Sequence, residues 1–390
     1  MKIKCAFFCF LVTLSFTTMN SKSYSSDAPP MFAAECPSGM YPEPYVKECK
    51  YACRDEFIKD EGFKFKNEFN NTLCNMIKNY WDASGDWEND GMGDATTFAP
   101  VLFFDLAERL ARPEFSEMAL KTVEWEVRLF EDLMAQVLTG QEPKSLMEAV
   151  NGIPALMTGY YYTKNKHYSD LVKVSITFAE GVAVKNPDTF TNFYFDRVTV
   201  PAIVSYIEFL YSRLSGDKSY GKKALKLLDV MEEKYWNAEK TSYGDKELWS
   251  TSFIVNTLIE AYLFSTEKKY IERARLVLSH AENGSFKKDG FYMDEGVYFG
   301  LAENINFVHT YLNFYEATKE SIYLDKAEAL LKYIFDVRLF DAHKGMFYHD
   351  YKSGEGRNDY FCTGCNFCTL IAILRLNDIL KYGKSKFLMQ

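Results

Sequence analysis

The sequence predicts an all-α protein built as a closed ring of six helical hairpins. One observation behind this prediction is a short polar phrase, rich in small residues, that recurs along the chain and leads to an aromatic residue. These aromatic residues are Phe115, Tyr168, Tyr220, Tyr270 and Tyr323, at spacings of 53, 52, 50 and 53 residues. The other observation is that apolar residues between the phrases recur at helical spacing. A polar break between two apolar helical runs is typical of an αα-hairpin, so each phrase is predicted to be an elbow.

Five pairs of helices are predicted around these elbows, with a lone helix at each end of the ring. The lone helices are predicted at residues 65–81 and 361–380. The pairs are predicted at 97–110 with 115–138, 145–162 with 168–184, 200–214 with 220–236, 249–264 with 270–282, and 301–316 with 323–340. If the first and last helices pair with each other, the six hairpins close into a ring. The N- and C-terminal segments would then meet at one seam.

The N-terminal residues predict an exported protein. Met1–Lys4 is basic and the run Cys5–Phe16 is apolar, the outline of a secretory signal peptide over residues 1–26. The apolar run is too short to span a bilayer, so no membrane insertion is expected and the predicted location is secreted or periplasmic. Residues 27–64 are predicted to form a Cys-containing N-terminal arm, and residues 65–390 the ring domain.

The charge of the chain argues against several classes of partner. There are 45 Lys and Arg against 54 Asp and Glu, and the net charge of −9 becomes −12 when Lys2, Lys4 and Lys22 leave with the signal peptide. An acidic chain without a basic block is a poor partner for nucleic acid or an anionic membrane surface. Its aromatic content of 16% suits wide helix packing or a sugar-binding surface. The sequence does not specify an oligomeric state.

One stretch carries a resemblance to a known superfamily. Tyr315–Leu331 reads Tyr-Glu-Ala-Thr-Lys-Glu-Ser-Ile-Tyr-Leu-Asp-Lys-Ala-Glu-Ala-Leu-Leu, and loops with a Gly-aromatic-Tyr-x-Asp pattern lie between the helix pairs. Over about residues 65–382 the chain resembles the six-hairpin glycosidase-like superfamily, whose fold is the (α/α)6 toroid. The resemblance implies a glycoside hydrolase, an unsaturated-uronyl hydrolase, a polysaccharide lyase or a sugar epimerase, with an oligo- or polysaccharide as substrate. The motif of a single member family is not found.

The two ends of the predicted ring differ in their loops. The elbows are short, whereas the connections at the other end are mostly about 10 to 20 residues long. Long loops on a rigid scaffold are where a site is expected, and the inner helices begin at the same end. The pattern Tyr-x-Asp recurs in these loops at Tyr194, Tyr243, Tyr292 and Tyr348. A pattern used four times indicates a short strand and turn rather than four catalytic acids.

Acids and aromatic residues that do not repeat are the candidate site residues. Glycosidic cleavage needs one carboxyl as acid and another as base or nucleophile. The candidate catalytic residues are Asp90, Asp94, Glu247 and Glu303. The candidate substrate-binding residues are Trp87, Arg197, Trp249, Tyr298 and Arg357. For each acid the alternative is a solvated loop position or a calcium-like turn, and for Asp94 and Glu303 specifically a helix cap.

The function predicted from these observations is an exported carbohydrate-active enzyme, most readily a glycoside hydrolase. A second interpretation is a non-catalytic toroid that binds glycan or protein through its aromatic residues. Further interpretations are a thiolate metal-binding protein, a polysaccharide lyase and a sugar epimerase. In an epimerase, His309 on an inner helix could act as base or could be a satisfied core histidine, whereas a lyase would use Tyr or Lys as base, with Arg197 or Arg357 to neutralise a uronate.

Seven cysteines remain after removal of the signal peptide, and they fall into two groups. Those near the N-terminus are Cys36, Cys49, Cys53 and Cys74, and those that enter the last helix as a C-x2-C-x2-C run are Cys362, Cys365 and Cys368. Ring closure would gather all seven at the seam, and in an exported protein three disulfides and one spare thiol are the leading interpretation. No cofactor is then expected. Thiolate-bound zinc, an iron–sulfur cluster, or a redox-active pair at Cys362 and Cys365 stay open as alternatives.

Overall fold

The computed structural model describes residues 40–42, 49–51, 56–87, 94–138, 152–185, 198–243, 248–287, 290–293, 296–336, 339–357 and 361–386. These residues form twelve helices. The outer helices are α1 (Lys66–Tyr80), α3 (Pro113–Leu138), α5 (Lys166–Lys185), α7 (Lys218–Tyr235), α9 (Lys268–Ser285) and α11 (Ser321–Asp336). The inner helices are α2 (Asp94–Leu110), α4 (Ile153–Thr163), α6 (Thr199–Ser215), α8 (Leu248–Ser265), α10 (Leu301–Thr318) and α12 (Thr363–Tyr382).

The inner helices close into a ring. Each packs against the next along the chain, α12 packs against α2, and each inner helix also packs against an outer helix. The last inner helix, α12, takes α1 as its outer partner, so the predicted closure by the first and last helices is confirmed. Two hydrogen bonds fasten this seam: Lys64 N–H donates to Asn377 Oδ1 at 2.7 Å, and Asn377 Nδ2 donates to the Lys64 carbonyl at 3.1 Å. The protein is an (α/α)6 toroid.

Burial differs between the two layers of helices. The outer helix α9 buries one stripe, with Tyr270, Ala274, Val277 and Ala281 inward, because its other faces meet solvent. The inner helix α12 is covered on all sides, and sixteen of its twenty residues are buried. The apolar core therefore lies mainly around the inner ring. Within the described residues, no helix has the length and apolarity needed to cross a bilayer.

The elbows share one backbone conformation, which confirms them as the repeated turn. The residue after each inner helix is left-handed, with φ of 50° at Ala111, 58° at Lys164, 76° at Gly216, 63° at Thr266, 61° at Lys319 and 73° at Gly383. In five of the six, this residue donates its N–H to the carbonyl four residues earlier, which closes the helix end. The sixth elbow was missed by sequence reasoning, although Gly383-Lys-Ser-Lys-Phe387 repeats the elbow phrase. Phe387 itself lies outside the described residues.

Short strands follow three of the outer helices. The hairpins are β3 (Trp236–Asn237) with β4 (Ser242–Tyr243), β5 (Phe286–Lys287) with β6 (Gly290–Phe291), and β8 (Phe340–Asp341) with β9 (Met346–Phe347). The strand-and-turn interpretation of the Tyr-x-Asp repeat is therefore confirmed near Tyr243, Tyr292 and Tyr348, while the copy at Tyr194 lies outside the described residues.

Two further sheets complete the described structure. An antiparallel sheet of order β11-β10-β7 joins β7 (Tyr298–Gly300), β10 (Asp350–Lys352) and β11 (Gly356–Arg357). In the predicted N-terminal arm, β1 (Met40–Pro42) pairs with β2 (Cys49–Tyr51). The predicted signal peptide lies outside the described residues.

Candidate active site at the loop end of the ring

The inner helices begin at one end of the ring, which we call the loop end, and finish at the other, the elbow end. At the loop end, one sheet connects the start of α10 to the start of α12. Strand β7 runs directly into α10, and Gly300 at its end lies opposite Asp350 of β10. Leu301, the first residue of α10, donates its N–H to the carbonyl of His349 at 2.8 Å. Side chains from β7, β10 and both helices therefore meet here.

An asparagine in the first turn of α10 holds the preceding hairpin in place. Asn304 Oδ1 accepts the N–H of Phe291 at 2.8 Å. Its Nδ2 donates to the carbonyls of Phe291 and Gly300 at 2.9 and 2.8 Å. All three bonds are buried, so they fix the hairpin relative to the helix.

Helix α12 repeats the arrangement. Asn366 Oδ1 accepts the N–H of Phe347 at 2.9 Å, and its Nδ2 donates to the carbonyls of Phe347 and Cys362 at 3.0 and 2.8 Å. The start of α10 with its hairpin and the start of α12 with its hairpin are called the α10 entrance and the α12 entrance. The hydrogen bonds of Asn304 and Asn366 make these two entrances structurally equivalent. Gly300 of the α10 entrance corresponds to Cys362, and Glu303 corresponds to Cys365.

Glu303 is a buried carboxyl at the α10 entrance. Its residue is 7% exposed, and within the described residues its Oε2 has no hydrogen-bond partner. Burial raises the pKa of Glu303, and the charge of Asp350 raises it further against the opposing effects of its own backbone amide and of His349. A Cβ at Gly300 would lie 1.9 Å from Oε2, so glycine leaves the space that this carboxyl occupies. The geometry suits a protonated acid.

Asp350 organises the polar groups beside Glu303. Its Oδ2 accepts a hydrogen bond from the Tyr298 hydroxyl at 3.1 Å and lies 3.0 Å from Nδ1 of His349. The side chains of His349 and Asp350 are each 15% exposed, so solvent reaches this group. A carboxylate held from two sides keeps one orientation, and it fixes the ring of His349.

Cys362 and Cys365 form the first turn of α12. Their Sγ atoms are paired at bonding distance, and Cys362 Sγ accepts the N–H of Cys365 at 3.1 Å. The two sulfurs and a ring nitrogen of His349 all lie within 4.8 Å of one another, a group that could hold a soft metal ion. Cys368 is buried one turn further along α12. Cys74 is disulfide-bonded. Cys36, Cys53 and the side chain of Cys49 lie outside the described residues.

Two of the predicted site residues lie together at this entrance: Glu303 in the first turn of α10 and Tyr298 at the start of β7. The backbone of Arg357 lies in β11, opposite Tyr351 of the central strand, and its side chain lies outside the described residues. Sequence reasoning did not single out His349 or Asp350, because they belong to the repeated Tyr-x-Asp pattern. The signal that could have identified them is the middle residue of the Tyr-x-Asp pattern, which is a histidine in this copy alone.

The structure corrects the prediction for Trp87. Its side chain is fully buried and stacks on Phe103, with 5.3 Å between ring centroids and 11° between ring planes. A second ring, Phe367 of α12, meets it edge-on at 4.8 Å, and its Nε1 donates to Thr122 Oγ1 at 3.2 Å. Trp87 therefore fills the core at the seam and has no face to offer a sugar.

The other predicted residues stay predictions. Asp90, Glu247 and Arg197 lie outside the described residues, and so do the side chains of Asp94 and Trp249. The backbone of Asp94 begins α2 and that of Trp249 lies in the first turn of α8, which places both positions at the loop end.

His309 is a core histidine. Its Nδ1 accepts a hydrogen bond from Arg375 at 3.0 Å, so its Nε2 carries the proton and donates to the Cys368 carbonyl at 3.1 Å. Burial and then the charge of Arg375 lower the pKa of His309 to about 3. Both nitrogens are occupied and the ring is neutral. This favours the satisfied-core interpretation over a catalytic base.

Comparisons with known proteins agree with the fold. No protein-family model matches the chain, and no curated protein matches it in sequence. Solved structures do match. A GH76 α-mannanase from Bacteroides thetaiotaomicron superposes with a TM-score of 0.60 at 13% identity, over 78% of this chain and 94% of that one.

Two further solved structures belong to enzymes with different reactions. A cellobiose 2-epimerase from Bacillus thermoamylovorans gives a TM-score of 0.58 at 14% identity, over 78% of this chain and 98% of that one. An unsaturated glucuronyl hydrolase from Bacillus sp. GL1 gives 0.55 at 12% identity, over 79% and 91%. These likenesses show the six-hairpin glycosidase-like toroid fold.

Proposed function

We propose that this protein is a glycoside hydrolase that works at the loop end of the toroid with Glu303 as its general acid. One observation carries the proposal: Glu303 is buried at an inner-helix entrance, and its Oε2 has no hydrogen-bond partner within the described residues. Burial also raises its pKa. A glycosidase needs one carboxyl that keeps its proton near neutral pH and gives it to the leaving oxygen.

The neighbouring groups suit a saccharide. The Tyr298 hydroxyl donates a hydrogen bond to Asp350, and the backbone of Arg357 lies two strands away in the same sheet. We assign to both a role in binding sugar hydroxyls or a uronate. The second carboxyl, which acts as base or nucleophile, is drawn from Asp90, Asp94 or Glu247, as the sequence predicts. This reaction requires no cofactor, and the N-terminal signal favours a secreted or periplasmic location.

Support for a carbohydrate substrate comes from the matched solved structures, which include an α-mannanase and an unsaturated glucuronyl hydrolase. Because an epimerase shares the fold, the fold alone does not select the reaction. Hydrolysis is favoured by the buried position of Glu303, which raises the pKa of its carboxyl, and by the hydrogen bonds that occupy both ring nitrogens of His309, the candidate base of an epimerase.

The test is turnover of a saccharide panel that includes α-mannosides, cellobiose and unsaturated uronides, with products followed by mass spectrometry and NMR. Hydrolysis adds water and frees a new reducing end, epimerisation leaves the mass unchanged, and a lyase creates an unsaturated product. We expect hydrolysis. Binding without turnover would replace the proposal with a glycan-binding module, and the absence of both would contradict it.

The role of Glu303 as general acid is tested with the saccharide that the wild-type protein turns over. Replacing Glu303 with Gln keeps the shape of the side chain but removes the proton, and kcat should fall by about 10² to 10⁴. The matched control is Glu355→Gln, an exposed acid on the adjacent β10–β11 turn, which should leave kcat unchanged. Equal activity of Glu303→Gln and the wild type would remove Glu303 from the mechanism.

A further inference from the structure

The α12 entrance differs from its α10 counterpart at three positions that converge in space. The two hairpins align through Phe291 and Phe347, which are held by equivalent asparagines, so His349 corresponds to Met293. The other two of these positions hold the cysteines, which stand where α10 has Gly300 and Glu303; Thr363 and Gly364, which replace Leu301 and Ala302, carry no metal-binding group. Since α10 makes the same turn without them, the turn does not require a cysteine pair. Their presence calls for another explanation.

The three distinguishing side chains form a compact set of soft donors. The two sulfurs and the ring nitrogen lie within 4.8 Å of one another. Zinc binds thiolate sulfur at about 2.3 Å and imidazole nitrogen at about 2.0 to 2.1 Å, so donors around one ion need to lie within roughly 4 Å of each other. Separation of the paired sulfurs brings the group to that arrangement with a small movement. Cys368, the third cysteine of the sequence run, is not in the group.

The surroundings also match those of a metal-binding histidine. Asp350 lies 3.0 Å from Nδ1 of His349, and Tyr298 in turn holds Asp350. A carboxylate on one ring nitrogen orients the other toward a metal ion and strengthens it as a ligand. The start of α12 helps as well, because the Cys365 N–H already points at Cys362 Sγ and would stabilise a thiolate there.

We propose that the α12 entrance is a redox-gated zinc site formed by Cys362, Cys365 and His349. A thiol reductant supplies two electrons and two protons, the sulfur–sulfur bond breaks, and the reductant leaves as its own disulfide. Zn²⁺ then binds the two sulfurs and displaces their protons, and water completes the fourth position. In the oxidised protein each sulfur is bonded to the other. Zinc and the sulfur–sulfur bond therefore exclude each other, and this holds whether or not the protein is a hydrolase.

The experiment is a metal titration of the full mature chain in its oxidised and reduced forms, under anaerobic conditions. Co²⁺ is the probe, because thiolate ligands give a charge-transfer band in the near ultraviolet. We expect the reduced protein to show the band at one Co²⁺ per chain, Zn²⁺ to abolish it by displacement, and the oxidised protein to lack it. A reduced protein without the band would overturn the proposal.

The ligands are tested by substitutions in the α12 entrance that introduce the residue found at the equivalent position of the α10 entrance, so that the fold is preserved. Cys362→Gly and His349→Met each introduce the residue that α10 already accommodates, and each should weaken Zn²⁺ binding by about tenfold or more. Asp350→Asn, which loosens the histidine, should weaken it by about 10- to 100-fold. Cys368→Ser and His343→Met, the latter at an exposed position on the β8–β9 turn, should bind as the wild type does.

Two results of this series would contradict the assignment. Wild-type affinity in Cys362→Gly would place the metal on other cysteines, and wild-type affinity in His349→Met would leave the site without its nitrogen ligand. Circular dichroism melting curves recorded in parallel establish that each variant is folded when its affinity is measured.

Discussion

The elbow end and the loop end of the ring are built in different ways. At the elbow end each inner helix is followed by a residue in the left-handed conformation, and buried ion pairs link the inner helices to one another. At the loop end, the α10 and α12 entrances share their asparagine and hairpin but differ in the side chains beside them. The difference teaches that repeated features close the ring, whereas departures from the repeat mark positions available for chemistry.

The buried charges of the elbow end are paired across helices. Arg375 of α12 donates to Glu316 Oε2 at 2.9 Å and to Asn313 Oδ1 at 2.6 Å on α10. Arg109 of α2 donates to both oxygens of Asp378 on α12 at 2.5 Å. Arg109 also lies in the last turn of α2, where a cation complements the helix dipole, so its position suits the end where the inner helices finish.

The largest stability effect is expected from Arg375→Met. The substitution keeps much of the side-chain bulk but leaves Glu316 without its buried arginine, and loss of one member of a buried ion pair costs about 3 to 5 kcal/mol. Urea unfolding measures the loss. The control is Arg112→Met, because both side chains of the Arg112–Glu114 pair are about half exposed and loss of the pair should cost less than about 1 kcal/mol. Equal losses in the two variants would mean that the network does not hold the ring.

The next effect tests the equivalence of the two entrances. Asn304→Ala removes three buried hydrogen bonds and leaves the N–H and carbonyl of Phe291 unpaired, which should cost about 2 to 3 kcal/mol. Asn366→Ala should cost a similar amount at Phe347. Exposed Asn283→Ala serves as control, with a change below about 0.5 kcal/mol. A large loss in one variant and none in the other would break the correspondence between α10 and α12.

Unlike the paired charges, Glu208 is a buried carboxyl without an ion-pair partner within the described residues. Its contribution to the free energy of unfolding depends on pH. It is 1% exposed, and neither carboxyl oxygen has a hydrogen-bond partner within the described residues. Burial and then Glu180 raise its pKa to about 9. The unfolded chain titrates near pH ~4.3, so the native state holds a proton that the unfolded state has lost, and stability falls as pH rises from about 4.5 toward 9.

Glu208→Gln should remove this dependence. We expect little change in the free energy of unfolding at pH 4 and a gain of about 2 kcal/mol at pH 8, measured by urea unfolding at both values. Glu233→Gln, at an exposed position on α7, should leave the pH dependence as in the wild type. A gain of the same size at both pH values would mean that packing, not protonation, explains the effect.

The smallest effect concerns the elbows themselves. Thr266 adopts φ of 63°, where a β-branched side chain is strained, and Gly216 holds the equivalent place at 76°. Thr266→Gly should raise the free energy of unfolding by about 0.5 to 1 kcal/mol, and Gly216→Thr should lower it by about 1 to 2 kcal/mol. Nothing lies within 4 Å of a Cβ at Gly216, so a loss there reports the backbone conformation alone. Changes of the same sign would contradict a shared elbow geometry.

The fold could be predicted from the sequence because its signal is local and repeated. Each elbow carries its own polar phrase and each helix its own apolar period, so the number of hairpins followed from counting. Ring closure followed because α12 would otherwise have no outer partner. The sixth elbow at Gly383 was the one element of this pattern that counting missed.

The site could be predicted only in part, because it is assembled by long-range pairing. The sequence singled out Glu303 and Tyr298 as candidates, but His349 comes close to them through the β7–β10 pairing, which no local pattern specifies. Trp87 was misjudged for a related reason. It lies within a polar stretch of the sequence, residues 85–94, yet Phe367 from the far end of the chain covers it when the ring closes.

The central claim is that the loop end carries out catalysis and the elbow end stabilises the ring. It is tested most directly by measuring stability and saccharide turnover in the same two variants. Glu303→Gln should lower kcat by about 10² or more while its free energy of unfolding stays within about 1 kcal/mol of the wild type. Arg375→Met should lose about 3 kcal/mol of stability while its folded fraction keeps the wild-type kcat. If Glu303→Gln loses stability and keeps its turnover, Glu303 is a helix-capping residue, and the loop end is not where the chemistry occurs.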